Sequence, residues 1–372
     1  MTGVTDYDLH GMARIRLLDA TPRDAAIVGR QLGLAPASAD GEPDLVIRFV
    51  RELSIKGPLR LIGVNDAGFT EDAFLVLRSR FKSRSRTQIP FERIGRKCEI
   101  ICEQGIARVP LLTSILNLIV LGKGALPLHA AAFRFNGMGV VTTGWSKGGK
   151  TETLLAFMAH GATYVGDEWV YISEDGRNVY GVPEPIRIWD WHLQSMPRYR
   201  SAISRRDRAR LRVLSLLVRG LRRATSSGAR HRSAATRTIN RITPLLDKQL
   251  CVDVTPQRLF GQTACEFAGT PDRVFFTASQ EAPEVSVRPV DPKEVAHRMV
   301  FSLQEEQRQL MSYYWKFRFA FPDASNELIE RSRELQFLAL TRALGDKQTF
   351  EVRHPYPVEL ASLYDALRPY CT

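Results

Sequence analysis

Cysteine is scarce in this 372-residue chain, and its five cysteines show neither paired zinc-ligand spacing nor a disulfide framework. Cys98 and Cys102 fall in one apolar run, CEIIC, where alternate residues of a strand share a face; packed, reduced thiols are expected there, and Cys251, Cys265 and Cys371 read the same way. Long hydrophobic runs are missing too. The longest, Val109 to Leu121, is too short to span a bilayer and contains Pro110 and Asn117. The opening residues, MTGVTDYDLHG, have no basic n-region and no apolar core, so no secretory signal is expected and the location expected is cytoplasmic. No internal repeat marks a solenoid. With 44% apolar and 25% charged residues the chain belongs among globular proteins that bury a core, and at about 150 residues per domain its length suggests two or three domains.

Acidic residues are nearly absent from one segment. Between Arg198 and Arg241, Asp207 faces 14 arginines, so the net charge of +12 is local to this stretch and the remainder is close to neutral. Arg205 to Arg223 carries Leu211, Leu214, Val218 and Leu221 at helical spacing, with Arg208, Arg212, Arg219 and Arg222 elsewhere on the turn, which predicts a basic amphipathic helix. Thr225 to Arg237 is rich in Ser, Ala and Gly and reads as a flexible loop. Four uses compete for the segment 198–241: docking an acidic protein or peptide, lying on anionic lipid, gripping nucleic acid, or solubilising a packed helix. Aromatic residues are missing between Tyr199 and Phe260, which counts against nucleic acid, and docking of an acidic acceptor leads.

What is present is concentrated from Leu128 to Val170. Gly144-Trp145-Ser146-Lys147-Gly148-Gly149-Lys150-Thr151 fits the pattern Gly-x-x-x-x-Gly-Lys-Ser/Thr, in which a glycine-permissive loop turns backbone N–H groups onto phosphate oxygens. Upstream, Met138 to Thr143 (MGVVTT) suits a buried strand; downstream, Thr151 to His160 is helix-permissive until Gly161. The loop therefore meets a helix N-terminus, where free N–H groups and the helix dipole favour an anion. In this reading Gly144, Ser146, Lys147, Gly148, Gly149 and Glu152 surround a bound ATP, Lys150 reaches its β/γ-phosphates, and the Thr151 hydroxyl ligates Mg²⁺. Ala162 to Gly166 then predicts a short strand ending in Asp167-Glu168, where an α/β sheet presents its ligands. One carboxylate can hold Mg²⁺ while the other takes a proton from an attacking hydroxyl, or the two are solvated charges opening a loop.

The run His129-Ala-Ala-Ala-Phe-x-x-Asn136-Gly137-x-Gly139-Val-x-x-x-Gly144-x-Ser146-x-x-Gly149-Lys150-Thr151-Glu152-Thr153, followed by Gly161 and Asp167-Glu168, resembles the catalytic core of HPr kinase/phosphorylase and the HPr-kinase-related serine kinases, over about 60 residues. The chain departs from true HPr kinases in having Asp-Glu where they carry Asp-Asp, and in lacking their later Gly-rich segment; the related kinases tolerate Asp-Glu. The resemblance implies an α/β fold with a P-loop kinase core of the HPr kinase/PEP carboxykinase-like type, and a homo-oligomer. It implies Asp167 as base and Thr151 with Glu168 as metal ligands, and brings His129 toward the phosphates, where the residues alone also allow an ordinary strand-end histidine. The expected activity is transfer of the γ-phosphate of ATP to a hydroxyl, serine foremost, of a protein or peptide. A small-metabolite kinase and a non-catalytic nucleotide-binding adaptor are the alternatives.

Three parts are expected around this core: an N-terminal α/β domain (1–108), the catalytic domain (109–290) with a basic helical insertion (195–243), and a helical C-terminal part (291–372). In the first, β-like runs at Ala13–Leu18, Asp44–Val50, Leu59–Val64, Ala73–Arg78 and Cys98–Cys102 accompany a helix from Thr21 to Leu32, and Lys82-Ser-Arg84-Ser-Arg86 reads as a solvated loop. Leu111 to Gly122 predicts a helix leading into a hairpin closed by Asn136-Gly137. Beyond the acids, Pro183 and Pro185 stiffen an extended piece that aims Arg187 at a phosphate or an acidic substrate, or into an external salt bridge. Leu250–Val254, Arg258–Phe260, Arg273–Thr277 and Glu284–Val290 read as further strands able to complete the core sheet. Helices follow at Pro292–Arg308, Ser325–Leu344 and Pro357–Leu367 with a strand at Thr349–Arg353, and Tyr313 to Phe319 reads as core or domain interface.

Overall fold

The computed structural model of this protein describes residues 3–37, 41–78, 83–226 (backbone alone for 222–226), 246 and 249–371. Lys82 and most of the expected flexible loop, from residue 227 on, lie outside the described residues. The chain is mixed α/β, and among the described residues no helix is long and apolar enough to cross a membrane.

The N-terminal part is an eight-stranded sheet built from β1 (Gly3–Leu9), β2 (Ala13–Ala20), β3 (Leu45–Val50), β4 (Arg60–Ile62), β5 (Ala67–Phe69), β6 (Phe74–Arg78), β7 (Arg84–Gln88) and β8 (Cys98–Glu103). Its order is β1-β2-β3-β8-β7-β6-β5-β4, with β2, β3 and β8 parallel. Helix α1 (Pro22–Leu32) crosses between β2 and β3; it starts at a reciprocal Thr21–Asp24 capping box and stops at Gly33 in the left-handed region. The expected solvated loop at Arg84–Arg86 is instead β7. Ser85 and Thr87 are buried, and Arg84 and Arg86 reach Glu103 on β8 at 3.2 and 3.0 Å, so charge pairing across strands outweighs the low strand propensity of SRSR. Cys98 and Cys102 pack on the same buried face, and burial pushes both thiols up to about 12.

The second sheet carries the glycine-rich loop. Helix α2 (Leu112–Gly122) leads into β9 (Leu126–Phe135), which pairs with β10 (Met138–Gly144) across a turn held by Asn136 (φ 51°) and Gly137 (φ 83°). Then come α3 (Lys150–Met158), β11 (Thr163–Gly166), β12 (Trp169–Ile172), β13 (Val179–Gly181), β14 (Ile186–Trp189), α4 (Asp190–Ser195) and α5 (Arg205–Ser226). The chain continues with β15 (Cys251–Val254), α6 (Pro256–Phe260), β16 (Ala268–Gly269), β17 (Arg273–Ser279) and β18 (Ser286–Pro289). It closes with α7 (Pro292–Ala320), α8 (Glu327–Glu330), α9 (Ser332–Leu344), β19 (Gln348–His354) and α10 (Leu360–Leu367). The order is β16-β13-β12-β9-β10-β17-β19-β18, with β11 also on β9.

Two expectations change here. Arg258–Phe260 is helical, because Pro256 sets the first turn of α6 and leaves no room for a strand. Leu250–Val254 does form a strand, but β15 pairs with β14 in a separate two-stranded sheet. The boundary at residue 290 falls between β18 and β19, neighbours in the same sheet, so the C-terminal part supplies a strand parallel to β17 as well as helices.

Helices cover both faces of this sheet. Leu154, Leu155 and Phe157 of α3 pack with Leu363 and Leu367 of α10 on one side; Val295, Met299 and Leu303 of α7 pack with Leu340 and Leu344 of α9 on the other. Helix α7 is long enough to serve both sheets. Its second half buries Leu310, Tyr313, Tyr314 and Phe317 against Phe74 of the N-terminal sheet and Phe91 of the 3-10 turn that follows β7, while Trp315 and Phe319 stay exposed.

Candidate active site

Strands β10, β17 and β19 are parallel, so Gly144, Ser279 and His354 finish at one end of the sheet, and the 145–149 loop turns there into α3. The loop's shape depends on glycine. A Cβ on Gly149 (φ 98°) would lie 2.0 Å from His354 Nε2, and one on Gly144 would lie 2.3 Å from the Thr277 carbonyl oxygen. Buried His354 braces the loop, with Nε2 2.9 Å from the Gly148 oxygen and Nδ1 2.7 Å from the Pro355 oxygen. Lys147 adopts φ 64°, and it stays at the exposed loop tip with Ser146.

The buried Lys150 folds back into this loop, where its Nζ donates to the carbonyl oxygens of Gly144 (3.3 Å) and Trp145 (3.0 Å). Burial draws its pKa below the ordinary lysine value, against the pull of Glu168, Asp167 and Glu306. One residue on, the Thr151 hydroxyl lies 3.1 Å from both carboxylate oxygens of Asp167. Since that hydroxyl donates its hydrogen to Asp167, its own lone pairs stay available to a cation.

Asp167 and Glu168 sit side by side in different environments. Asp167 is 3% exposed, and burial, then the neighbouring Glu168 charge, push its carboxyl up to about 7. Glu168 sits at φ 64°, a strained conformation for a non-glycine residue, and keeps half its side chain in solvent. A hydrogen bond with His129 Nε2 (3.2 Å) holds its pKa below the usual glutamate value, outweighing the partial desolvation of its carboxylate. The other nitrogen of His129 lies 3.0 Å from Glu306 Oε1 on α7, and the ring stacks on Trp169. Burial disfavours the imidazolium, but Glu168 and Glu306 outweigh it and the His129 pKa is raised.

Lys150, Thr151, Asp167, Glu168 and His129 thus converge, and Glu152 follows on α3. Glu152 is buried against His192 of α4 at 3.4 Å; His192 accepts the Trp189 backbone N–H at Nδ1, so its Nε2 proton faces the carboxylate. Burial raises the Glu152 pKa less than this contact lowers it. Arg187 is engaged elsewhere: its exposed side chain pairs with Asp253 at 3.1 Å, the external salt bridge, although Glu168 still feels its charge. Four participants escaped sequence reasoning. Glu306, His192 and His354 lie far along the chain with no motif around them, and only the fold brings them in. Glu184 was passed over between its two prolines; it lines a cleft of about 370 Å³ with Arg30, Gln31 and Arg108, and burial, then Glu168 and Asp167, push its carboxyl up to about 7.

Among the described residues no group of three His, Cys, Asp or Glu side chains is arranged to hold a metal ion. Magnesium does not need one, since it keeps waters and binds through one or two carboxylates plus substrate phosphates, and the Thr151 hydroxyl with ionised, half-exposed Glu168 fits that demand. No family model matches this chain, and no curated protein matches it.

Proposed function

We propose that this protein is a Mg²⁺- and ATP-dependent kinase that transfers the γ-phosphate to a hydroxyl group, serine foremost, of a protein or peptide. The observation that carries the proposal is the juxtaposition of buried Lys150, held inside a glycine loop at a helix N-terminus, with a Thr151–Asp167 contact at 3.1 Å. Phosphoryl transfer asks a protein mainly for positioning, charge neutralisation and a base, and this corner has a group for each. The loop amides and Lys150 would hold the phosphates, and Thr151 and Glu168 would hold a magnesium ion, which when bound supplies charge neutralisation. Asp167, with a pKa near neutrality, accepts the proton of the attacking hydroxyl, as a general base working near pH 7 should. Glu168, kept ionised by His129, is suited to the metal rather than to the proton. The HPr-kinase-like pattern of residues 129–168 supports the same reading.

The test is ADP release from Mg·ATP with candidate serine peptides and small alcohols offered in parallel. Asp167→Asn is expected to leave nucleotide binding intact and to lower turnover by about 10²–10⁴-fold. Full turnover in that variant would remove Asp167 as base. Tight ATP binding with no turnover on any acceptor would favour the adaptor alternative.

A further inference from the structure

Four arginines, Arg200, Arg208, Arg212 and Arg219, line one hollow of about 490 Å³ between α4 and α5. Like charges converging on one volume repel, and here solvent and Asp190 in the same lining are what temper them. Arg200 donates to the Leu193 carbonyl oxygen (2.9 Å), and Arg219 donates to the carbonyl oxygen and hydroxyl of Ser215 (3.3 and 2.9 Å). The Nε of Arg208 is buried with no hydrogen-bond partner. Among the described residues none of the four forms an ion pair, and Asp190, the acid in the lining, accepts a hydrogen bond from Gln194 at 3.1 Å. Arg200, Arg212 and Arg219 are exposed and Arg208 is half-buried, so this ring of donors, with the orphaned Nε of Arg208, is suited to an anion entering from solvent.

The surroundings identify the kind of anion. Helix α5 is anchored by Leu211 and Val218, both buried, yet Val213, Leu216 and Leu217 on its free side are 58%, 65% and 53% exposed. Val213 and Leu217 lie on the side of the helix away from the hollow and Leu216 borders Arg212 and Arg219, so it is the charge that decides: four guanidinium groups spread around about 490 Å³ match several carboxylates of an acidic segment better than one small phosphate ester. Asp190, Leu193 and Gln194 line the hollow from one face of α4, while His192 on the opposite face of that helix lies 3.4 Å from Glu152, so α4 stands between the hollow and the candidate site. We infer that this hollow is a docking cradle for an acidic peptide segment of the acceptor, bound by Arg200, Arg208, Arg212 and Arg219 away from the reacting hydroxyl. The term acceptor rests on the kinase proposal; the cradle itself does not.

The probe is a fluorescein-labelled Glu-Asp-Leu-Glu-Asp-Leu peptide, with a Lys-Lys-Leu-Lys-Lys-Leu counterpart, followed by anisotropy on the full-length protein. Saturable binding of the acidic peptide is expected, at least tenfold weaker in Arg208→Glu/Arg212→Glu, which should instead take the lysine peptide; Arg208→Gln/Arg212→Gln should lose the first without gaining the second. The inference is overturned if the wild-type protein does not bind the acidic peptide or both variants bind it equally well. It is overturned equally if phosphatidylserine vesicles bind in an Arg208/Arg212-dependent way while the peptide does not. Mg·ATP titration of the same variants is expected to match the wild-type protein. If no form binds ATP, the kinase proposal fails while the peptide result still decides the cradle.

Discussion

Replacing Asp167 by asparagine should make the protein more stable at alkaline pH while it destroys transfer. The unfolded chain loses this proton near the ordinary aspartate value of 3.8, the folded chain near 7. Between those values the folded state binds more protons, so stability falls as pH rises; the loss begins above pH 4 and is complete above pH 7. The gap of about three pH units, at about 1.4 kcal/mol each, amounts to about 4 kcal/mol. Asparagine keeps the shape and can still meet the Thr151 hydroxyl, but carries no charge to desolvate. The variant should therefore gain about 2–4 kcal/mol over the wild-type protein at pH 8 and almost nothing at pH 4, where the wild-type carboxyl is already neutral. Urea unfolding at both pH values, followed by far-UV circular dichroism, reads this out. A variant equally stable to the wild-type protein at pH 8, or less stable by the same amount at both pH values, would show that Asp167 is not held protonated by its surroundings and would remove the reason for its choice as base.

Two further perturbations probe the supports of the site. Glu306→Gln removes one of the two carboxylates on His129; the His129 pKa should drop, seen in its imidazole NMR titration, and the pH range in which Glu168 has a cationic partner should shrink at its upper end. An unchanged titration would mean that Glu306 does not act on His129. Gly149→Ala puts a methyl group 2.0 Å from His354 Nε2 at φ 98° and should cost about 2–4 kcal/mol in urea unfolding, with at least tenfold weaker nucleotide binding. Wild-type affinity in that variant would contradict the close-packed loop.

How much of this was legible in the sequence depends on range. The strand–loop–helix unit from Met138 to Met158 and the Asn136-Gly137 turn are written in neighbouring residues, because glycine, β-branched and turn chemistry act over a few positions. The Arg205–Ser226 helix was legible for the same reason, and its expected apolar stripe is the side that packs, with Leu211 and Val218 buried. Strand β7 was not, since Arg84 and Arg86 are neutralised by Glu103 on another strand. The role of β19 was also hidden: a strand can be read from Thr349 to Arg353, but that it lies parallel to β17 and brings His354 under the loop is a long-range fact. The same holds for the site. Lys150, Thr151, Asp167 and Glu168 announce themselves by spacing, whereas Glu306 and His192 reach it from helices with no signature.

Isothermal titration of Mg·ATP into the wild-type protein and the Lys150→Ala variant addresses the central claim, that residues 144–151 wrap a triphosphate. One saturable site per chain is predicted, weakened at least tenfold when Lys150 is removed and weakened again when magnesium is withheld. No heat of binding in the wild-type protein, or equal binding in the variant, would contradict it.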